Sequence, residues 1–186
     1  IHLADWTELA VIAPATANIV AKMANGIADD FVSTALLATT APRLIVPAMN
    51  QHMLENPATA RNMEALKSYG YEIMEPDTGF LAEGYEGKGR MPEPEKIVEA
   101  AQLVVLNNAK ELPLKGKKVL ITAGGTKERI DPVRFISNDS SGKMGYSLAK
   151  AARDLGAEVT LVTATNLLPI PFGVESIYVQ SSEEME

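Results

Sequence analysis

Five short polar stretches of this sequence could hold or transform a ligand, and each adjoins an apolar run or a helix-forming segment. In Ala13-Pro14-Ala15-Thr16-Ala17-Asn18, Thr16 and Asn18 place a hydroxyl and an amide where a strand hands over to a helix. That is the edge at which parallel α/β sheets take ligands; a simple N-cap by Thr16 is the even alternative. Pro47-Ala48-Met49-Asn50 follows the next apolar run, and Asn50 can donate and accept at once, as a carboxylate or amide ligand requires. An isolated Asn serves a turn in the same way, but two polar turns after neighbouring strands share one crevice, which favours a ligand. His52 and Met53 read as packing or exposed residues. Gly84-Tyr85-Glu86-Gly87-Lys88-Gly89-Arg90 reads as a flexible loop with two cations, suited to a lid over an anion or to a solvated linker. In Ile121-Thr122-Ala123-Gly124-Gly125-Thr126, two glycines leave a strand and admit close backbone approach to a phosphate. Finally, Ser137-Asn138-Asp139-Ser140-Ser141-Gly142-Lys143-Met144-Gly145 opens the strongest helix with small residues that expose N–H groups, and Lys143 adds charge. It is not a Walker A loop, because Met144 stands where Ser or Thr is needed.

The elements that must position these stretches follow from apolar periodicity. Leu9 to Ala13 and Arg43 to Pro47 are continuous apolar runs, predicted as buried parallel strands with no element before the first. Helices are predicted over 19–24, over 31–38 after Asp29-Asp30, over 57–69 behind Asn56-Pro57, and over 93–106. Tyr71 to Met74 reads as a short strand, and the Gly-, Pro- and Glu-rich residues 75–92 as a long loop. Residues 112–118 form a polar Pro/Gly connector, a domain boundary. Beyond it come a strand at 119–122, an irregular stretch at 123–138, a helix at 144–155 and a strand at 159–163. This is a βαβ unit, whose helix carries an apolar stripe at Met144, Leu148, Ala151 or Ala152, and Leu155. Ser181 to Glu184 has the capping pattern of a helix start. The chain begins at Ile1 and stops on that helix signal, so it is expected to be a segment of a longer protein.

Composition narrows the classes. With 46% hydrophobic and 22% charged residues the 186-residue chain can build a core. A net charge of −7 without a basic run argues against nucleic acid as a partner. There is no Cys and only His2 and His52, so thiolate chemistry and a His-rich metal site are not expected. No apolar run reaches membrane-spanning length, and a cytoplasmic protein is expected. The missing GxGxxG with a downstream acid argues against a dinucleotide-dependent oxidoreductase.

Taken in order, the five stretches resemble the bifunctional coenzyme A biosynthesis family, phosphopantothenoylcysteine decarboxylase joined to phosphopantothenate–cysteine ligase. Leu3-Ala4-Asp5-Trp6, APATAN, PAMN and GKGRMPEP resemble the flavin-dependent decarboxylase. TAGGT-x-E-x-IDPVR-x-ISN-x-SSGKMG resembles the start of the ligase, and is the longest and most specific string. The resemblance implies two Rossmann-like, doubly wound units, the first flavodoxin-like. Residues 1–111 would belong to the decarboxylase, 112–118 to a linker and 119–186 to the ligase. It implies CTP-dependent ligation of cysteine to 4′-phosphopantothenate, with Mg²⁺ accompanying CTP, and FMN-dependent decarboxylation of phosphopantothenoylcysteine to 4′-phosphopantetheine. By motif, Thr16 and Asn18 would lie on FMN, and Met49 and Asn50 on the substrate, Asn50 at its cysteinyl carboxylate. Gly84, Gly87, Lys88, Gly89, Arg90 and Met91 would form the substrate clamp. Asn138 would stabilise the acyl-cytidylate, with Gly124, Gly125, Ser140, Ser141, Gly142 and Lys143 near phosphates. The family's catalytic His would fall just before Ile1, so His2 occupies a variable position. The clamp's Cys is replaced by Glu83. The segment alone is therefore expected to be inactive in both reactions, and the intact protein to be a trimer-based homo-oligomer. A non-catalytic FMN-binding protein of the same fold is the alternative.

Overall fold

The computed structural model describes residues 1–82, 84–108 and 112–186. The chain folds as two compact units, Ile1–Asn108 and Ala109–Glu186.

Unit 1 begins with a short helix that the sequence reading missed, α1 (His2–Trp6). Its single turn buries only Ala4, too little apolar periodicity to register in a sequence. Strand β1 (Ala10–Ala15) leads into α2 (Ala17–Asn25), which Gly26 closes in the left-handed conformation. Helix α3 (Phe31–Ala38) starts in a reciprocal capping box between Asp30 and Ser33. Next come β2 (Arg43–Pro47), the four-residue α4 (Gln51–Leu54), α5 (Pro57–Ser68) and β3 (Glu72–Ile73). Asn56 caps α5 and Pro57 fills its first turn, as the sequence signal predicts.

The three strands form a parallel sheet in the order β1-β2-β3. β2 is buried on both faces, from Leu44 to Pro47. In β1 only Ile12 and Ala15 are buried, so the continuous apolar run Leu9 to Ala13 does not mark a strand covered on both sides. Ile12, Ala15, Val20, Ile45 and Leu66 make the core beneath α2 and α5. Residues 75–92 are not a loop: β4 (Asp77–Phe80) and β5 (Glu86–Arg90) pair as an antiparallel hairpin. Glycine density suggested flexibility, but Gly87 and Gly89 sit on the inward face of β5, with Glu86, Lys88 and Arg90 outward. Helix α6 (Pro94–Asn107) then packs on β2.

Unit 2 opens with the turns of Leu112–Lys117, bound to the unit by Leu114 N–H donating to Leu155 O at 2.9 Å. Strand β6 (Lys118–Ala123) precedes a two-residue ladder, β7 (Glu128–Arg129) with β8 (Phe135–Ile136), inside the stretch read as irregular. Helix α7 (Lys143–Asp154), β9 (Glu158–Thr163), β10 (Glu175–Tyr178) and α8 (Ser182–Met185) complete it. Ser181 caps α8 by accepting from Glu184 N–H, as its sequence pattern predicts. The sheet is parallel, in the order β10-β9-β6.

Helix α7 does not bury the predicted stripe. Met144 is 79% exposed and Leu148 55%, while Gly145, Tyr146, Ala149 and Arg153 are buried. A Cβ on Gly145 would lie 2.6 Å from Ala123 Cβ and 2.9 Å from Thr122 O. At Gly145 the helix approaches β6 too closely for any side chain, while Tyr146, Ala149 and Arg153 fill the rest of the buried face.

Candidate functional sites

In unit 1 the two polar turns lie side by side. Ala15 pairs with Pro47 at the carboxyl ends of β1 and β2, and Ala48 N–H donates to Ala15 O at 3.1 Å. Thr16 caps α2 through a long 3.5 Å bond from Ile19 N–H, and Asn18 is exposed in its first turn. The cap reading of Thr16 is thus realised, yet the hydroxyl still has its proton to give.

The hairpin is fastened to the second turn. Met49 N–H donates to Gly89 O at 3.0 Å. A Cβ on Gly89 would sit 2.1 Å from Met49 O, and one on Gly87 would sit 2.5 Å from Gln51 Oε1. The glycines are therefore contact surfaces: spacing i, i+2 puts both on the strand face that meets Met49 and Gln51. Asn50 caps α4, its Oδ1 accepting from His52 N–H at 2.9 Å, and its Nδ2 donates to Tyr85 Oη at 2.8 Å. The proposed clamp and Asn50 thereby form one assembly.

The two cations of the hairpin are already engaged. Lys88 pairs with Glu75 at 2.7 Å and Arg90 with Glu93 at 2.7 Å. The Lys88 hydrogen bond is the main reason that the Glu75 carboxyl titrates below its ordinary range. An anionic ligand would have to compete with these acids. Met91 is half-buried behind β5, and Gly84 lies in the hairpin turn with φ 89°. Glu83 lies outside the described residues. Sequence reasoning placed Tyr85 inside the clamp stretch without a role of its own and did not single out Gln51: neither type is diagnostic, and only the fold brings Tyr85 to Asn50 and Gln51 to Gly87.

In unit 2 the loops after β6 and before α7 also meet. A Cβ on Gly125 would lie 2.5 Å from Asn138 Oδ1, and one on Gly142 would lie 2.8 Å from Thr165 Cγ2 and 3.3 Å from Gly124 N. Asn138 Oδ1 accepts from Ser140 N–H at 3.0 Å. Ser140, Ser141 and Lys143 are exposed at the start of α7. Gly142 caps that helix with φ 77°, and the first helical N–H, that of Lys143, makes only a long 3.5 Å bond to Ser141 Oγ. Thr165, after β9, is a further neighbour that the sequence did not single out. Tyr146 Oη fixes that turn by donating to Thr165 O at 3.0 Å, next to Thr163 Oγ1 at 3.2 Å. Among the described residues no cluster of three or more His, Asp and Glu is placed to hold a metal ion. Nor is any described helix long and apolar enough to cross a membrane.

Comparison with known proteins fits this geometry. Residues 1–106 match the family model described as Flavoprotein. The chain belongs to the Flavoprotein family. Residues 114–186 of this flavoprotein-family chain match a second model, the DNA/pantothenate metabolism flavoprotein C-terminal domain. The chain is 53% identical over 186 residues to the coenzyme A biosynthesis bifunctional protein CoaBC of Bacillus subtilis (strain 168), covering all of this chain and 46% of that protein. It is 50% identical over 185 residues to the protein of that name from Vibrio cholerae, again over all of this chain and 45% of the relative. The chain thus spans about half the length of the curated relatives it matches. Among solved structures, a PPC decarboxylase cysteine-to-serine mutant complexed with pantothenoylaminoethenethiol aligns with TM-score 0.51 and 36% identity, over 53% of this chain and 55% of that one. The FMN binding protein AtHal3 aligns with TM-score 0.50 and 35% identity, over 56% and 57%. The α/β fold with parallel, Rossmann-like sheets is as the sequence predicts.

Proposed function

We propose that this chain contributes to two consecutive steps of coenzyme A synthesis: cysteine ligation to 4′-phosphopantothenate, and FMN-dependent decarboxylation of the resulting phosphopantothenoylcysteine. On this reading residues 1–111 belong to the decarboxylase, 112–118 link, and 119–186 begin the ligase. The observation that carries the decarboxylase half is the assembly of the Thr16–Asn18 turn, the Met49–Asn50 turn and the glycine-fastened hairpin at one sheet edge.

Thr16 and Asn18 fit the polar edge of a flavin. Both are exposed at the strand end, and the small side chains of Ala13, Ala17 and Ala48 leave room beside them for a flat ring. When bound, FMN supplies the two-electron oxidation and re-reduction that make loss of CO₂ feasible. The chain's own residues bind and orient. Asn50 presents its amide to the cysteinyl carboxylate, Met49 borders it, and Gly84 and Gly87 to Met91 close over the pantothenoyl arm. Lys88 and Arg90 stay paired with Glu75 and Glu93 at the outer face of the hairpin.

In unit 2, Gly124, Gly125 and Ser140 to Lys143 offer backbone N–H groups and one ammonium to the phosphates of CTP, which brings Mg²⁺ with it. Asn138 faces the same loop junction and would stabilise the acyl-cytidylate. The intact protein is proposed to be a cytoplasmic, trimer-based homo-oligomer.

Purified intact protein should be yellow and release CO₂ from phosphopantothenoylcysteine. A colourless protein that FMN cannot reconstitute would remove the decarboxylase half. Glu83 in place of the clamp Cys favours a second reading, a flavin-binding protein without turnover. Measured CO₂ release would reject that reading, whereas flavin retention without it would favour it. Failure of CTP to bind the intact protein would remove the ligase half.

A further inference from the structure

The hydrogen bonds of Asn50 determine where a neighbouring proton points. His52 N–H reaches Asn50 at 2.9 Å, and a backbone N–H can only donate, so the amide oxygen faces His52. The amide nitrogen therefore faces Tyr85 Oη at 2.8 Å. An amide nitrogen also can only donate, so the phenol oxygen accepts and its own proton is directed away from Asn50. Tyr85 is held in this role by its backbone. Its carbonyl accepts from Leu81 N–H at 2.9 Å, closing the hairpin, and its ring edge lies 3.4 Å from where a Gly87 Cβ would be. The residue is 37% exposed, so its hydroxyl can meet a ligand that enters beside Asn50.

We propose that Tyr85 is a carboxylate-binding residue of the Asn50 site. Its phenol hydroxyl donates to the ligand's carboxylate, while its oxygen accepts from the Asn50 amide and fixes that side chain beside the same group. This rests on the reading that Asn50 meets a carboxylate. The consequence is a grip made of neutral donors. Lys88 and Arg90, the nearby cations of the hairpin, are engaged by Glu75 and Glu93. A carboxylate destined to leave as CO₂ is better held by neutral hydrogen bonds than by an ion pair. The ion pair would stabilise the ground-state charge that the reaction must disperse.

The test is equilibrium binding to FMN-loaded intact protein by calorimetry. The probes are two thiol-free ligands that cannot be oxidised: 4′-phosphopantothenoylserine, and 4′-phosphopantothenoylethanolamine, the same molecule without the carboxylate. Tyr85→Phe keeps the ring and removes the donor. The expected result is an affinity loss of about tenfold for the seryl ligand, the worth of one hydrogen bond to a charged group, and less than about twofold for the ethanolamine ligand. Equal losses for both ligands, or no loss for either, overturn the role of Tyr85. Asn50→Ala, measured alongside, separates the two layers. If it lowers seryl affinity selectively while Tyr85→Phe does not, the Asn50 reading stands and the Tyr85 proposal falls. If neither variant discriminates between the ligands, both fall.

Discussion

Replacing Gly89 with Ala tests whether the hairpin is a built contact or a flexible loop. Two costs follow from the structure. Gly89 has φ 145°, a conformation that L side chains rarely adopt, and the added methyl would lie 2.1 Å from Met49 O. Backbone strain of this kind costs about 1–3 kcal/mol, and overpacking against a fixed group costs about 1–3 kcal/mol. Together they predict about 4 kcal/mol, roughly a thousandfold in the local closing equilibrium. Gly70→Ala is the internal control: φ is 82° but nothing lies within 4 Å of its Cβ, so strain alone applies, about 1–2 kcal/mol. Amide hydrogen exchange is the sensitive assay, because it reads this one contact apart from the β1-β2-β3 sheet. Met49 N–H, bonded to Gly89 O, should lose nearly all protection in Gly89→Ala and keep it in Gly70→Ala. Unchanged Met49 protection in Gly89→Ala would refute the close approach on which the whole site assembly depends.

The reassigned face of α7 predicts that Leu148→Gln changes the chain's stability by less than about 0.5 kcal/mol. Ala149→Leu, at a residue with no exposed surface, should cost about 1–3 kcal/mol by urea unfolding. Arg153 is buried, donates to the Phe172 carbonyl, and pairs with Asp154 at 2.6 Å. Arg153→Ala should therefore destabilise by about 3 kcal/mol, read by the same unfolding. For pH, Glu75 is held below its ordinary value chiefly by Lys88. Its contribution is complete above the unfolded carboxyl's titration range and is lost as pH falls through the lowered folded value. Lys88→Met should return the Glu75 titration, followed by side-chain NMR, toward an ordinary glutamate, with a stability change under about 1 kcal/mol because both groups are largely exposed.

Local signals were read correctly where the physics is local. Asp30 before α3, Asn56-Pro57 before α5 and Ser181 before α8 act through bonds that span two or three residues, so the sequence holds the whole interaction. The run Arg43 to Pro47 is a strand buried from Leu44 onward, as predicted, because one continuous apolar segment suffices to specify it. The similar run at β1 is only half covered, and α1 was missed, because burial depends on which elements come to lie alongside.

The sequence by itself determined the strand at Arg43–Pro47, the longer helices, the caps of α3, α5 and α8, and the five polar stretches, but not the short elements α1, α4, β4, β5, β7, β8 and β10. What only the tertiary structure decided is what the glycines are for. Gly87, Gly89, Gly125, Gly142 and Gly145 read as flexibility or as room for phosphate, yet each marks a place where another segment comes too near for a side chain. Absence of a side chain is the same signal in both cases, and only the partner across the gap tells them apart. The same holds for Tyr85 and Asn50, 35 positions apart in the chain, whose shared hydrogen bond exists only because β5 is fastened to the turn after β2.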